Sequence, residues 1–291
     1  MRSIRTDLAL EAHLSLMETA TPISGIEQNE TTENGVTISR VKVKDKDAEQ
    51  KIGKPMGNYI TLSLPDLRYI DKTLYEKICR KIATEIKALL KNVNPNKPVL
   101  IIGLGNRSIT SDSLGPAVVD RLMITRPRFC YAPEALSDNL NSVCAIAPGV
   151  LGITGIETSE IITSVCKKVD PCAVICVDAL AARGLDRITR TIQICDTGIH
   201  PGAGVGNNRK EISQKTLSVP VIAVGVPTVV DAATITDDTL NLVIDHLLDS
   251  MDEDEKNTSF YKMLKSLDPD GRFDLIRASL SKQVPYFLTT P

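Results

Sequence analysis

Four apolar runs set the limits on what this chain can fold into. They are VLII at 99–102, AVICV at 173–177, TIQI at 191–194 and VPVIAV at 219–224. Continuous runs such as AVICV and VPVIAV suit strands covered on both faces. Helix-length stretches between strands imply a parallel sheet with right-handed crossovers. The expected fold class is α/β: a three-layer α/β/α core over residues 95–250, with a mostly parallel sheet. Small N-terminal β segments accompany it, at VTISRVKV (36–43) and YITLSLP (59–65). The first pairs Val36 with Ile38 and Val41 with Val43, a slip of phase that a bulge would cause.

Between these strands and the core, Ile70, Leu74, Ile78, Ile82, Ile86 and Leu89 recur at helical spacing, with Asp71 placed to start the helix and NPNKP to end it. Residues 8–94 therefore read as an N-terminal segment packing on the core. Within it, residues 18–35 read as polar loop. Residues 251–291 read as a charged, helical tail around RFDLIRASLSKQ.

Composition removes several function classes. Aromatics are 3% with no tryptophan, which argues against stacking platforms for single strands, and a net charge of −2 leaves no basic footprint for duplex binding. No run approaches a membrane span, and the N-terminus lacks the apolar stretch of a secretory leader. The seven cysteines form no CxxC, so they read as small buried hydrophobes in a reducing compartment. Three histidines, His13, His200 and His246, are too few and too scattered for a zinc site. No cofactor or metal is expected.

Chemistry in an open α/β sheet gathers beyond the carboxyl ends of its strands. Asp112 follows the first core strand within GLGNRSITSDSLGP, and Asp178 directly follows AVICV. Two carboxylates across one crevice can divide acid and base roles around a water. An aspartate after a strand can equally cap a helix, and spacing alone leaves both readings open. The GLGN turn has neither the third glycine of a dinucleotide fingerprint nor the lysine of a P-loop. Gly198, Gly202, Gly204 and Gly206 punctuate a dense loop, which is either a linker or a place where peptide backbone comes close. Asp231 in GVPTVVDAATI reads as a helix cap in a strand-end loop.

At these residues the sequence resembles the germination protease family, the endopeptidases of bacterial spores. The matching stretches are RTDLALEAH, GLGNRSITSDSLGP, APGVLGITGIETSEII, VDALAARGLDRITRTIQICDTGIHPGAGVGNNR and VPVIAVGVPTVVDAATI. The resemblance implies a hydrolase that degrades small acid-soluble spore proteins during germination. It implies a homotetramer in the forespore or spore core cytoplasm, with no direct contact with nucleic acid or membrane. It places the two essential acids on Asp112 and Asp178. It implies a fold similar to the hydrogenase maturation proteases, in which the acids bind nickel with a histidine. A metal-dependent hydrolase and a non-enzymatic module binding spore proteins are thus the alternatives.

The family is made as a zymogen that removes its own N-terminal segment. Cuts fall after an acidic residue and before a hydrophobic one followed by alanine. Asp7, Leu8 and Ala9 fit, so residues 1–7 are the expected propeptide, cut between Asp7 and Leu8. Arg107 and Arg183 are candidate partners for the acidic residues of substrates, and Gly202 and Gly204 for the backbone of an extended peptide. Ser111 stands where the family commonly has proline and Ala203 where serine is common. The chain stops at TTP, where members usually continue into a further helix.

Overall fold

The computed structural model describes residues 6–17, 24–90, 93–132, 140–199 and 210–251, together with 271, 273–276 and 278–279. The strands are β1 (Ile26–Glu33), β2 (Val36–Val43), β3 (Gly57–Ser63), β4 (Val99–Gly103), β5 (Val143–Ile146), β6 (Ala173–Ala182), β7 (Thr191–Cys195) and β8 (Val221–Val230). They form one eight-stranded sheet in the order β1-β2-β3-β7-β8-β6-β4-β5. Its core, β5-β4-β6-β8, is parallel. β7 and β3 then continue it antiparallel, as do β2 and β1. The N-terminal β segments therefore extend the core sheet instead of forming a separate one.

Helices cover both faces. The helices of the first half are α1 (Ala9–Met17), α2 (Lys46–Ile52), α3 (Lys72–Leu89), α4 (Leu114–Val119) and α5 (Arg126–Tyr131). Those of the second half are α6 (Leu151–Thr154), α7 (Thr158–Val169), α8 (Gln214–Leu217) and α9 (Ala232–Ser250). The expected amphipathic helix is α3, and Asp71 caps it by accepting from the Leu74 N–H at 2.7 Å. Its apolar stripe packs on Val36, Ile38, Ile60, Leu62, Ile194 and Ile222. On the opposite face, α1 and α2 bury Ala9, Leu10, Ala48 and Ile52 against Val41, Val43, Tyr59 and Cys195. On that face too, α7 sets Ile162 and Cys166 against Leu100, Ile102, Val174 and Cys176.

This arrangement corrects the reading of β2. Its register with both neighbours is unbroken, so there is no bulge at 36–43. The phase slip marks a change of buried face: Val36 and Ile38 meet α3, while Val41 and Val43 meet α1 and α2. The sheet's irregularity lies between Leu180 and Ala181 of β6 instead.

Two other expectations are corrected. Part of the polar 18–35 stretch is the exposed edge strand β1, whose side chains show no inward alternation because its outer positions face solvent. It is held by a two-residue hairpin turn with Asn34 (φ 53°) and Gly35 (φ 74°), the conformation an Asn-Gly pair favours. The expected loop after VPVIAV is strand as far as Val230, and Asp231 then caps α9 by accepting from the Ala233 N–H at 2.8 Å. β5, short and only half-buried, carries too weak a pattern to be expected.

Two backbones meet where α4 crosses the sheet. A Cβ on Gly115 would lie 2.2 Å from the Leu104 carbonyl oxygen and 2.5 Å from that of Val177. Gly115→Ala must lift α4 off β4 and β6. The expected cost is about 2–3 kcal/mol in urea unfolding, whereas Gly152→Ala, in open space on α6, should be neutral or slightly stabilising.

Candidate active site

β4 ends at Gly103, opposite Val177 of β6. The Leu104 N–H still donates to the Val177 carbonyl at 2.8 Å, after which the chain turns away. Gly105, at φ +111°, makes the turn; a Cβ there would lie 2.0 Å from the Asp112 carbonyl oxygen. The glycine thus clears room for a carboxylate loop and not for a phosphate. The Asn106 N–H donates to Asp112 twice, to its carbonyl at 3.0 Å and to Oδ2 at 2.8 Å. Asp112 closes the single helical turn Thr110–Asp112, which packs on β6 and β8. Thr228 of β8 fixes it by donating Oγ1–H to the Ser111 carbonyl at 2.6 Å.

Asp178 is buried, with 7% of its surface exposed. It does not follow the strand, as expected, but lies within β6, which continues to Ala182 paired to β8. The apolar run is interrupted only by Asp178 itself; Ala179–Ala182 are apolar again and continue the strand. Asp178 Oδ1 accepts from the Ala179 N–H at 2.9 Å. Burial pushes the neighbouring Cys176 thiol up, and the Asp178 carboxylate adds to it. The two aspartates thus come to the same end of adjacent parallel strands. Asp112 lies above the tip of β4, and Asp178 stands one residue past the Gly103–Val177 pair.

The other expected site residues are placed differently. Arg107 is exposed and paired with Asp120, which holds the Asp120 carboxyl below its usual range. Arg183 follows β6, and its main-chain N–H donates to Glu11 Oε2 at 2.8 Å. Gly202, Gly204 and His200 lie outside the described residues. Of the cysteines, five are buried or half-buried as expected, but Cys79 and Cys130 are exposed.

Asp7 and Leu8 are built into the fold. Leu8 is fully buried against Leu180, Ala182 and Val230. The Asp7 N–H donates to the Ala181 carbonyl at 2.8 Å, and Asp7 Oδ2 accepts from the Ala181 N–H at 2.8 Å. The Asp7 carbonyl accepts from Lys54 Nζ at 3.1 Å and Gln193 Nε2 at 3.0 Å. The Gln193 Oε1 in turn accepts from the Ala9 N–H at 2.7 Å. Glu11 pins the segment from α1: it accepts from Thr6 Oγ1 and from the Arg183 and Gly184 N–H groups. Lys54, Gln193 and Glu11 were not singled out from the sequence. The available signal was a polar residue inside TIQIC and a lone acid in the apolar run LALEAHL.

The chain matches the family model for germination protease over residues 5–271. A germination protease of Clostridium tetani is 46% identical over 290 residues, covering 99% of this chain and 88% of that protein. One from Clostridium acetobutylicum is 44% identical over 294 residues, covering 100% and 89%. One from Bacillus cytotoxicus is 48% identical over 259 residues, covering 87% and 70%.

The chain belongs to the germination protease family.

Membership makes this a protease of spore germination, and the corner that carries Asp112 and Asp178 is its candidate active site. Among the described residues, no helix is long and apolar enough to cross a membrane. Nor are three His, Cys, Asp or Glu side chains grouped among them to hold a metal ion.

The docked Asp7 carries a linkage. Burial raises its pKa above the ordinary 3.8, against the lowering pull of the Ala181 N–H and Lys54. A raised carboxyl binds its proton more tightly in the fold than in the unfolded chain. Its contribution to stability is complete below pH 3.8 and is lost as pH rises through the folded value. Asp7→Asn keeps an acceptor for Ala181 without this loss. At neutral pH, amide exchange at Asp7 and Ala9 of the uncut chain should be slower in the variant, and the difference should vanish in acid.

Proposed function

We propose that this member of the germination protease family is an endopeptidase that opens the degradation of small acid-soluble spore proteins. It is made as a zymogen that cuts itself between Asp7 and Leu8, and it uses Asp112 and Asp178 to activate water. The observation that carries this reading is the corner itself. One carboxylate in the turn beyond β4 and one within the neighbouring parallel strand β6 share one end of the sheet, locked by backbone contacts at Gly105, Gly115 and Ser111. Rigid placement is what acid–base chemistry needs, because a water must sit within hydrogen-bond reach of a carboxylate and of the carbonyl it attacks.

In the proposed reaction one carboxylate takes a proton from water as its oxygen attacks the carbonyl carbon. The other gives a proton to the departing nitrogen. The products are a new carboxylate and a new amine. Acidic residues before the cut suit a site with cations nearby. Lys54 already lies at the acidic residue of the Asp7–Leu8 bond, and Arg183 stands at the end of β6. Arg107 would first have to leave Asp120. Assembly as a homotetramer in the forespore belongs to the same proposal.

The test is intact-mass analysis of a purified small acid-soluble spore protein incubated with the matured enzyme. Asp112→Asn and Asp178→Asn should each lower kcat by about 10³-fold or more, with unfolding midpoints unchanged and cuts by the parent enzyme confined to positions after acidic residues. Activity that survives in either variant removes that residue from the mechanism. Loss of cutting with chelator, restored by one metal, would make the same acids metal ligands.

A further inference from the structure

We infer that Lys54 and Gln193 form the clamp that readies the Asp7–Leu8 bond for self-cleavage, Lys54 as the cation on the reacting oxygen and Gln193 as the bracket across the bond. The inference rests on the reading above that this bond is the one cut.

Gln193 holds both sides of the bond with one amide. Its Nε2 donates to the Asp7 carbonyl, on the side before the cut, at 3.0 Å. Its Oε1 accepts from the Ala9 N–H, two residues on, at 2.7 Å. A side chain here does what a neighbouring strand would do, holding the peptide units on either side of Leu8 by their backbone groups without reading a side chain. Gln193 is itself nearly buried, at 6% exposed, within β7. Lys54 supplies the charge. Its Nζ lies 3.1 Å from the Asp7 carbonyl oxygen and 3.0 Å from that of Thr6. Its place is set by Gly53, the left-handed residue that ends α2, and by Pro55, whose carbonyl accepts from Tyr59 Oη–H at 2.8 Å.

Register puts this clamp on the face of the sheet that carries Asp178. Gln193 pairs with Gly225, and Gly225 pairs with Asp178. Directly paired residues point to one face, so Gln193 and Asp178 stand in one row about 10 Å apart, two strand spacings. Gly225 between them has no side chain. Leu8 packs on Leu180, two residues along β6 from Asp178 and on its face.

Two donors on one carbonyl oxygen match the demand of the step. When water adds to the Asp7 carbonyl carbon, the π electrons move onto that oxygen, and Lys54 and Gln193 meet the new charge. The water's proton passes to one carboxylate of the proposed Asp112–Asp178 pair, the other gives its proton to the Leu8 nitrogen, and collapse breaks the C–N bond and leaves Asp7 with a new carboxylate. Donors placed this way are worth about 10²–10³ in rate each.

Self-cleavage of the full chain is followed by intact mass against time, for the parent, Lys54→Met, Lys54→Arg, Gln193→Leu and Gln193→Glu. Lys54→Met and Gln193→Leu should each slow the Asp7–Leu8 cut by about 10²-fold. Lys54→Arg should restore most of the rate. Gln193→Glu keeps the acceptor for Ala9 but not the donor, and should stay slow. A structural role alone would not move the pH profile. Lys54 faces Asp7, Glu11 and Cys195, and burial lowers its pKa. The parent's rate should therefore fall on the alkaline side, and Lys54→Arg should carry its plateau to higher pH. Equal rates in the parent, Lys54→Met and Gln193→Leu would overturn the clamp while leaving the cut in place. A parent chain never cut at Asp7–Leu8 would overturn the cleavage reading and the clamp with it.

Discussion

The site depends on one mismatch in strand length. β4 stops at Gly103, while β6 runs on to Ala182 with β8 still beside it. Past Val177 the β4 side of β6 is a ledge. Onto that ledge the fold sets the turn that ends in Asp112 and the segment Thr6–Leu8. Asp178 is the first residue of β6 beyond the end of β4. Gly115 makes the mismatch usable, because α4 can then settle against Leu104 and Val177 at backbone distance. A longer β4 would cover the ledge, and a bulkier residue at 115 would lift its lid.

The parallel core was legible because it obeys a simple rule. Strands buried on both faces need continuous apolar runs, and 99–102, 173–177 and 219–224 supply them. α3 was legible from its stripe and Asp71. What escaped the sequence reading were features whose signal is set by tertiary contacts. β1 is polar because its side chains face water, so only Asn34-Gly35 betrayed it. β2 looked bulged because its two halves are buried by different helices. β6 seemed to end at Val177 because Asp178 interrupts its apolar run, although the strand itself continues to Ala182.

The candidate site was partly legible for a related reason. Asp112 and Asp178 stand beside apolar runs, where a carboxylate is conspicuous. Lys54 and Gln193 lie far apart in the chain, next to α2 and within β7, and no spacing connects them. They meet only at the Asp7 carbonyl oxygen, to which both donate. Arg107 illustrates the converse: proximity in sequence to Asp112 did not keep it from pairing with Asp120.

The outer edge of the sheet has its own consequence. β1 presents Glu27, Glu30 and Glu33 along an exposed strand, with Lys44 and Lys81 already engaged by Glu27 and Glu33. Charged side chains along an edge discourage the addition of a stray strand. The ledge of β6, with apolar and small residues at Leu180, Ala181 and Ala182, is covered instead by Asp7 and Leu8. The molecule therefore guards with charge the edge where another chain could pair, and fills its inner edge with its own extended segment.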